Sequence, residues 1–293
     1  MKKFMERQKI SDLPRRLLTS TIVIGCAGGL IAFSPLFWVS LLILLFVAAL
    51  AGIGVWEYVQ LAQAKDLQPS SRLMIGLAVI VVIAFFFARQ FPSLEQLPVI
   101  FLFVGVVIFF LAHFKHSYKA LPQVAVELFG VCYVAIPLCF MLGILYPIAK
   151  GSSPQDGRWW LMYLIAVTKI TDVGAYFVGK LWGRHKLAPF LSPKKTVEGA
   201  VAGFCCAVAA SFFMYVVGKK WLAGSFSLSF PQALWMGMLI GILGQIGDLA
   251  ESLLKRDAFV KDSNRLPGLG GILDMLDSLL LTAPVVYFFL SAR

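Results

Sequence analysis

Apolar residues fill long runs of this chain, and short polar or glycine- and proline-bearing segments separate the runs. Nine stretches approach the roughly 17–25 apolar residues that a helix needs to cross a bilayer. They are Leu17–Phe33, Leu36–Trp56, Leu73–Ala88, Leu97–Phe114, Val124–Ile148, Trp159–Val178, Val197–Val217, Phe230–Leu254 and Ile272–Leu290. The third and fourth are short, and Ser34–Pro35 predicts a tight hairpin between the first two. The pattern predicts an all-α fold, a polytopic transmembrane helical bundle of about nine spans. No internal repeat of the inverted-transporter kind stands out.

Composition agrees with lipid exposure. Of 293 residues, 59% are hydrophobic, whereas a soluble domain holds about 45–50%. Only 14% are charged, yet the net charge is +11. Against this apolar background the excess points to phospholipid headgroups and a phosphate-bearing substrate, with no nucleic acid as partner. The five cysteines (Cys26, Cys132, Cys139, Cys205, Cys206) lie in apolar stretches without a CxxC pair, so they read as small helix hydrophobes. The start, MKKFMERQKISDLPRR, reads as an uncleaved basic arm, with a signal peptide the weaker option.

Loop charges set an orientation. With the N-terminus inside and nine spans, nineteen Lys and Arg fall on the inner side and six on the outer, with Lys169 alone inside a span. Eight of the fifteen acids follow residue 170, in or beside the last four spans. The division expected is a cytoplasmic arm over 1–16, a transmembrane scaffold over 17–150 and a catalytic transmembrane region over 151–293.

Ionisable groups inside a bilayer cost about 2.5–3.5 kcal/mol each, so they are functional candidates by default. Lys169, Asp172 and Tyr176 share one helical face, although a Lys169–Asp172 pair that only fixes packing explains them equally well. In GQIGDLAESLLKRDAFVKD, the residues Asp248, Glu251, Ser252 and Lys255 form a polar stripe suited to a cation and phosphate oxygens, and Arg256 and Lys261 extend the positive charge. A snorkelling helix end explains Lys255 and Arg256 but not Asp248. In LPGLGGILDMLDS, the glycines Gly268, Gly270 and Gly271 let backbone N–H groups approach a phosphate at a helix start, and Asp274 and Asp277 share a face just beyond. Carboxylates beside phosphate point to Mg²⁺. N-terminal charge capping accounts for one aspartate, but not for two and the glycines. The loop GKLWGRHKLAPFLSPKKTVEGA adds Ser192, Lys194, Lys195, Thr196 and Glu198, although it is no P-loop. His185 reads as a solvated loop residue.

These residues resemble the phosphatidate cytidylyltransferase (CDP-diacylglycerol synthase) family. The resemblance lies in S-x-x-K-R-x4-K-D-x4-P-G-x-G-G-x-x-D-x-x-D from Ser252 to Asp277, in SPKKTVEG at 192–199 and in DVGAYFVGKLWGRHKL at 172–187. It implies that CTP and phosphatidic acid give CDP-diacylglycerol and pyrophosphate at a cytoplasm-facing polar funnel. By the same resemblance Asp248, Asp274 and Asp277 hold metal, with a second cation an option. Lys255, Arg256 and Lys261 hold phosphates, and Asp172, Ser192, Lys194, Lys195, Thr196, Glu198, Ser252, Asp262 and the glycine turn line the substrate side. A homodimer, membrane lipids as partners and a bacterial inner membrane complete the expectation. Two positions depart from the family pattern: Leu269 stands where it has histidine, and Met275 where it has arginine. An impaired homologue is therefore one alternative; the others are a CTP-dependent lipid kinase of the dolichol or phytol type and a cation-coupled transporter using Asp172, Lys169 and Asp248 as a relay.

Overall fold

The computed structural model describes residues 25, 27–114, 119–147, 155–222, 224–260 and 271–292. Two compact units divide the chain, residues 1–45 and 46–293. In the first, helical residues 27–32 lead into a turn at Ser34–Pro35, as expected. There the Leu36 N–H donates to the Phe33 carbonyl at 3.0 Å, and Ser40 Oγ donates to the Phe37 carbonyl at 2.8 Å. Most of the expected first span and the whole basic arm lie outside the described residues.

Helix α1 (Phe37–Gln63) starts in that unit and continues into the second. It is followed by α2 (Ser71–Gln90), α3 (Leu97–His113) and α4 (Ala120–Leu145), and then by α5 (Gly157–Trp182). A hairpin of β1 (Lys186–Ala188) and β2 (Ser192–Thr196) precedes α6 (Val197–Trp221), α7 (Phe230–Asp257) and α8 (Ile272–Ser291). Among the described residues eight helices are long and apolar enough to cross a membrane. Long apolar helices are the economical answer to lipid, because each satisfies its own backbone N–H and C=O groups where water cannot. The chain is an all-α, polytopic integral membrane protein, and the hairpin is a small addition that the hydropathy pattern did not announce.

Small residues set how closely helices approach. Gly199, Gly203 and Ala207 are buried on α6, which packs along α5 and α7, as close backbone contact between membrane helices requires. Polar side chains then cross-link the interior. Tyr163 and Ser211 hydroxyls lie 2.6 Å apart, Ser211 reaches the Ala233 carbonyl, and Thr168 shares a hydrogen bond with Thr282. Helix α8 packs on α4 as well as on α5 and α7, so both halves of the chain hold it.

Contacts between loops sort the helix ends into two groups. At one end Lys65 pairs with Asp257 at 3.1 Å, and Arg256 Nε donates to the Leu191 carbonyl at 3.0 Å. At the other, Arg89 donates to the Tyr146 carbonyl at 3.2 Å, and Asp156 N–H to the Ser225 carbonyl at 2.8 Å. The segments expected inside thus meet one another, and those expected outside do likewise.

The α7–α8 crossing depends on Gly247. A Cβ there would lie 2.5 Å from the Asp277 carbonyl oxygen and 3.1 Å from Ser278 Cα, both backbone atoms that cannot swing away. Gly247→Ala should therefore cost roughly 1–3 kcal/mol by overpacking and lower the melting temperature in detergent. Gly76→Ala, where a Cβ meets nothing within 4 Å, should be neutral or stabilising by up to about 1 kcal/mol.

Candidate active site

Three carboxylates from two helices converge at that crossing. Asp248 and Glu251 stand one turn apart near the end of α7, Asp277 stands in the second turn of α8, and one oxygen from each lies within 4.8 Å of the others. Glu251 and Asp277 are buried. Asp277 Oδ1 accepts from the Ser278 N–H at 2.5 Å and from Ser278 Oγ at 3.1 Å, which fixes its orientation. The same hydroxyl lies 3.4 Å from both oxygens of Asp172 on α5. Lys169 approaches Asp172 at 3.5 Å and donates to the Met275 carbonyl at 3.3 Å. The Lys169–Asp172 pair thus exists, and it also ties α5 to α8 beside the cluster.

Asp274 sits differently from its neighbours. It pairs with Lys255, and the Lys255 ammonium also lies 2.7 Å from Glu251 Oε1. That Glu251 oxygen is buried and makes no hydrogen bond of good angle. The carboxylate grouped with Asp248 and Asp277 is Glu251, while Asp274 meets the cluster through the lysine that it shares with Glu251. Lys195 reaches in from β2 and meets Asp248 at 2.6 Å. In their charged forms, five carboxylates (Asp172, Asp248, Glu251, Asp274, Asp277) face three ammonium groups (Lys169, Lys195, Lys255). Three of those carboxylates, Asp248, Glu251 and Asp277, bring oxygens within 4.8 Å of one another, a set that suits a hard divalent cation. All donors in the set are oxygens, and Lys255, 2.7 Å from Glu251 Oε1, would share that carboxylate with such an ion.

Beside the cluster lies a cavity of roughly 530 Å³ between α5, the hairpin, α6 and α7. Asp172 and Asp248 form its acidic wall, and Lys180, Lys186, Lys194 and Lys195 its basic wall. A pocket walled partly by low-dielectric helices concentrates that field on an anionic ligand. The hairpin makes the arrangement possible. With Lys186 opposite Thr196 and Ala188 opposite Ser192, it folds the loop back so that lysines far apart in sequence face one space.

The remaining expected residues take several positions. Thr196 lines the cavity, but its hydroxyl also caps α6 by accepting from the Gly199 N–H at 3.2 Å. Glu198 accepts from the Arg184 and His185 N–H groups and lies 2.6 Å from His185 Nδ1, so it braces the hairpin instead of facing the cavity. Arg256 is exposed and ties α7 to the hairpin tip. Ser192 opens β2, Ser252 is half-buried on α7, and Gly271 is the residue before α8 with φ −72°. Lys261, Asp262, Gly268, Leu269 and Gly270 lie outside the described residues.

Two residues of the N-terminal half had no place in the sequence reading. Tyr133 on α4 has a buried hydroxyl without a hydrogen-bond partner, within electrostatic reach of Glu251 and Asp277. Glu57 on α1 is buried and accepts the first N–H groups of α8. A lone acid just past an apolar stretch was a visible signal for Glu57, whereas nothing in sequence distinguishes Tyr133 from a packing aromatic.

Comparison with known proteins agrees with this site. Residues 14–292 match the cytidylyltransferase family. A phosphatidate cytidylyltransferase of Chlamydia pneumoniae is 38% identical over 95% of this chain and 92% of its own. One of Synechocystis is 32% identical over 92% of this chain and 96% of its own, and one of Staphylococcus aureus 30% over 89% and 95%. A carboxylate cluster facing a lysine-walled cavity, on a sequence matched nearly end to end, leads to one conclusion: this chain belongs to the cytidylyltransferase family.

Proposed function

We propose that the chain joins CTP to phosphatidic acid, giving CDP-diacylglycerol and pyrophosphate. The observation that carries this reading is a three-carboxylate cluster, one member of which, Asp248, lines a cavity walled by four lysines. A phosphate oxygen of phosphatidic acid attacks the α-phosphorus of CTP, the bond from that phosphorus to the bridging oxygen breaks, and pyrophosphate leaves with the electron pair. No side chain becomes bonded to phosphorus, so the protein contributes position and charge.

Asp248, Glu251 and Asp277 would hold a magnesium ion, and the bound ion supplies positive charge to phosphate oxygens that would otherwise repel. Lys180, Lys186, Lys194 and Lys195 receive the triphosphate from the hairpin side. Lys195 also keeps Asp248 in place while the cavity is empty. Lys255 holds Asp274 and Glu251 together, so α7 and α8 move as a unit. The lipid substrate enters from the bilayer, where the exposed apolar side chains of the long helices meet acyl chains. In this reading the cavity faces the cytoplasm of a bacterial inner membrane with the N-terminus inside, residues 151–293 carry the chemistry, and the chain works as a homodimer.

The test is direct. Purified chain in detergent, given labelled CTP, phosphatidic acid and Mg²⁺, should form a CDP-lipid with one pyrophosphate per turnover. Release of CDP instead would identify a lipid kinase, and CTP binding without turnover an impaired homologue. Chelation should abolish activity and added Mg²⁺ restore it. Asp277→Asn should lower kcat roughly 100-fold or more, as for loss of one strong electrostatic element of an active site. Lys194→Ala should raise the KM for CTP about 3- to 10-fold, the scale of an exposed charge contact of roughly 1 kcal/mol, with a smaller change in kcat.

A further inference from the structure

Helix α8 carries Asp274 and Asp277 in its first two turns, yet its own sequence does not cap it. Gly271, the residue before the helix, has no side chain and makes no capping hydrogen bond. The first N–H groups of a helix have no partner within it and need one from elsewhere. Here the partner comes from about 215 positions earlier in the chain. Glu57 Oε1 accepts from the Ile272 N–H and Glu57 Oε2 from the Leu273 N–H, each at 2.8 Å.

Both oxygens of one carboxylate are thus spent on two consecutive backbone donors, a grip that fixes the height and rotation of α8. Its negative charge also faces the positive end of the helix dipole. Glu57 is only 1% exposed, so neither water nor salt screens the contact. Gly54, one turn earlier on α1, sits at the same junction, tight against α4 and in ordinary contact with the start of α8. A Cβ there would press 2.9 Å from Val134 and stand 3.7 Å from Leu273 and 4.0 Å from Ile272. Asp274 follows Leu273 directly, and Asp274 is the residue through which α8 engages Lys255 and, by it, Glu251.

We infer that Glu57 is a positioning residue for the reaction: by clamping the start of α8 from the N-terminal half, it sets the spacing of Asp277 from Asp248 and Glu251. It touches neither substrate nor ion. Its effect passes through the backbone of Ile272 and Leu273 to the carboxylates beyond, beside a direct electrostatic interaction with Asp274 and Lys255. The inference rests on the proposed reaction, and its test includes one measurement that does not.

The test uses Glu57→Gln in the full chain in detergent. The amide keeps one acceptor oxygen but turns an NH₂ group toward the second N–H, so the clamp opens on one side. The midpoint for magnesium activation should rise roughly tenfold, as when groups behind metal ligands are changed. The kcat should fall about tenfold or more, in keeping with the cost of small misplacements, while KM values for CTP and phosphatidic acid stay within about threefold. By hydrogen exchange the Ile272 and Leu273 amides should lose protection by about tenfold, as locally opened backbone does. That readout needs no catalysis, so it separates failure of this inference from failure of the proposed reaction.

Glu127→Gln is the matched control. Glu127 is equally buried and accepts the Ser70 N–H at 2.6 Å, at the start of α2 instead of α8. It should lower the melting temperature without moving the magnesium midpoint or the α8 amides. Glu57→Asp keeps the charge with a shorter reach and should recover part of the kcat lost in Glu57→Gln. If Glu57→Gln does not accumulate, Glu57→Asp is scored by the same midpoint and amide shifts. Native α8 protection with an unchanged magnesium midpoint in the scored variant would overturn the inference, and so would equal shifts in Glu127→Gln.

Discussion

Like charges crowded at a helix crossing are the constraint around which this molecule is arranged. Two ionised carboxylates 4.8 Å apart repel by about 3.5 kcal/mol at an effective dielectric of 20, and the site holds three whose oxygens are no farther apart than that. Such a cluster persists only if other groups hold it together. Lys195 and Lys255 bracket it from the two sides, and the Ser278 hydroxyl and N–H orient Asp277. Three carboxylate oxygens held so close together are the chemical reason to expect a cation and, through it, phosphate.

The same cluster explains why the N-terminal half is more than a support. Helix α8 is pressed against α7 by the absence of a side chain at Gly247, packed on α4, and held at its start by Glu57 of α1. Tyr133 of α4 brings a further hydroxyl toward Glu251 and Asp277. The chemical groups lie mainly on α5, α7, α8 and the hairpin, but their separation is set by helices from both halves.

The hairpin contributes something different. Its lysines are partly solvated, so each alone is worth little. Folding back by the β1–β2 pairing brings Lys186, Lys194 and Lys195 to one cavity, where their fields add against a single polyanion. Glu198 and Arg256 secure the hairpin to α6 and α7.

Much of this protein was legible from sequence alone. Uninterrupted apolar runs determine long helices, because lipid offers no partner for open backbone, and the alternation of spans fixes which loops share a side. The Ser252–Asp277 and SPKKTVEG blocks named the chemistry and most of the charged groups. What only the tertiary structure decided was partnership. Asp274 and Asp277 share a helical face, yet Asp274 turns to Lys255 and Glu251 takes the place beside Asp248, because α7 and α8 cross at Gly247 at an angle that helical periodicity does not encode. Glu57 reads as one acid at the edge of an apolar stretch until folding sets it under the first turn of α8. Side-chain spacing along one helix follows from local geometry, whereas distances between helices depend on packing among residues hundreds of positions apart.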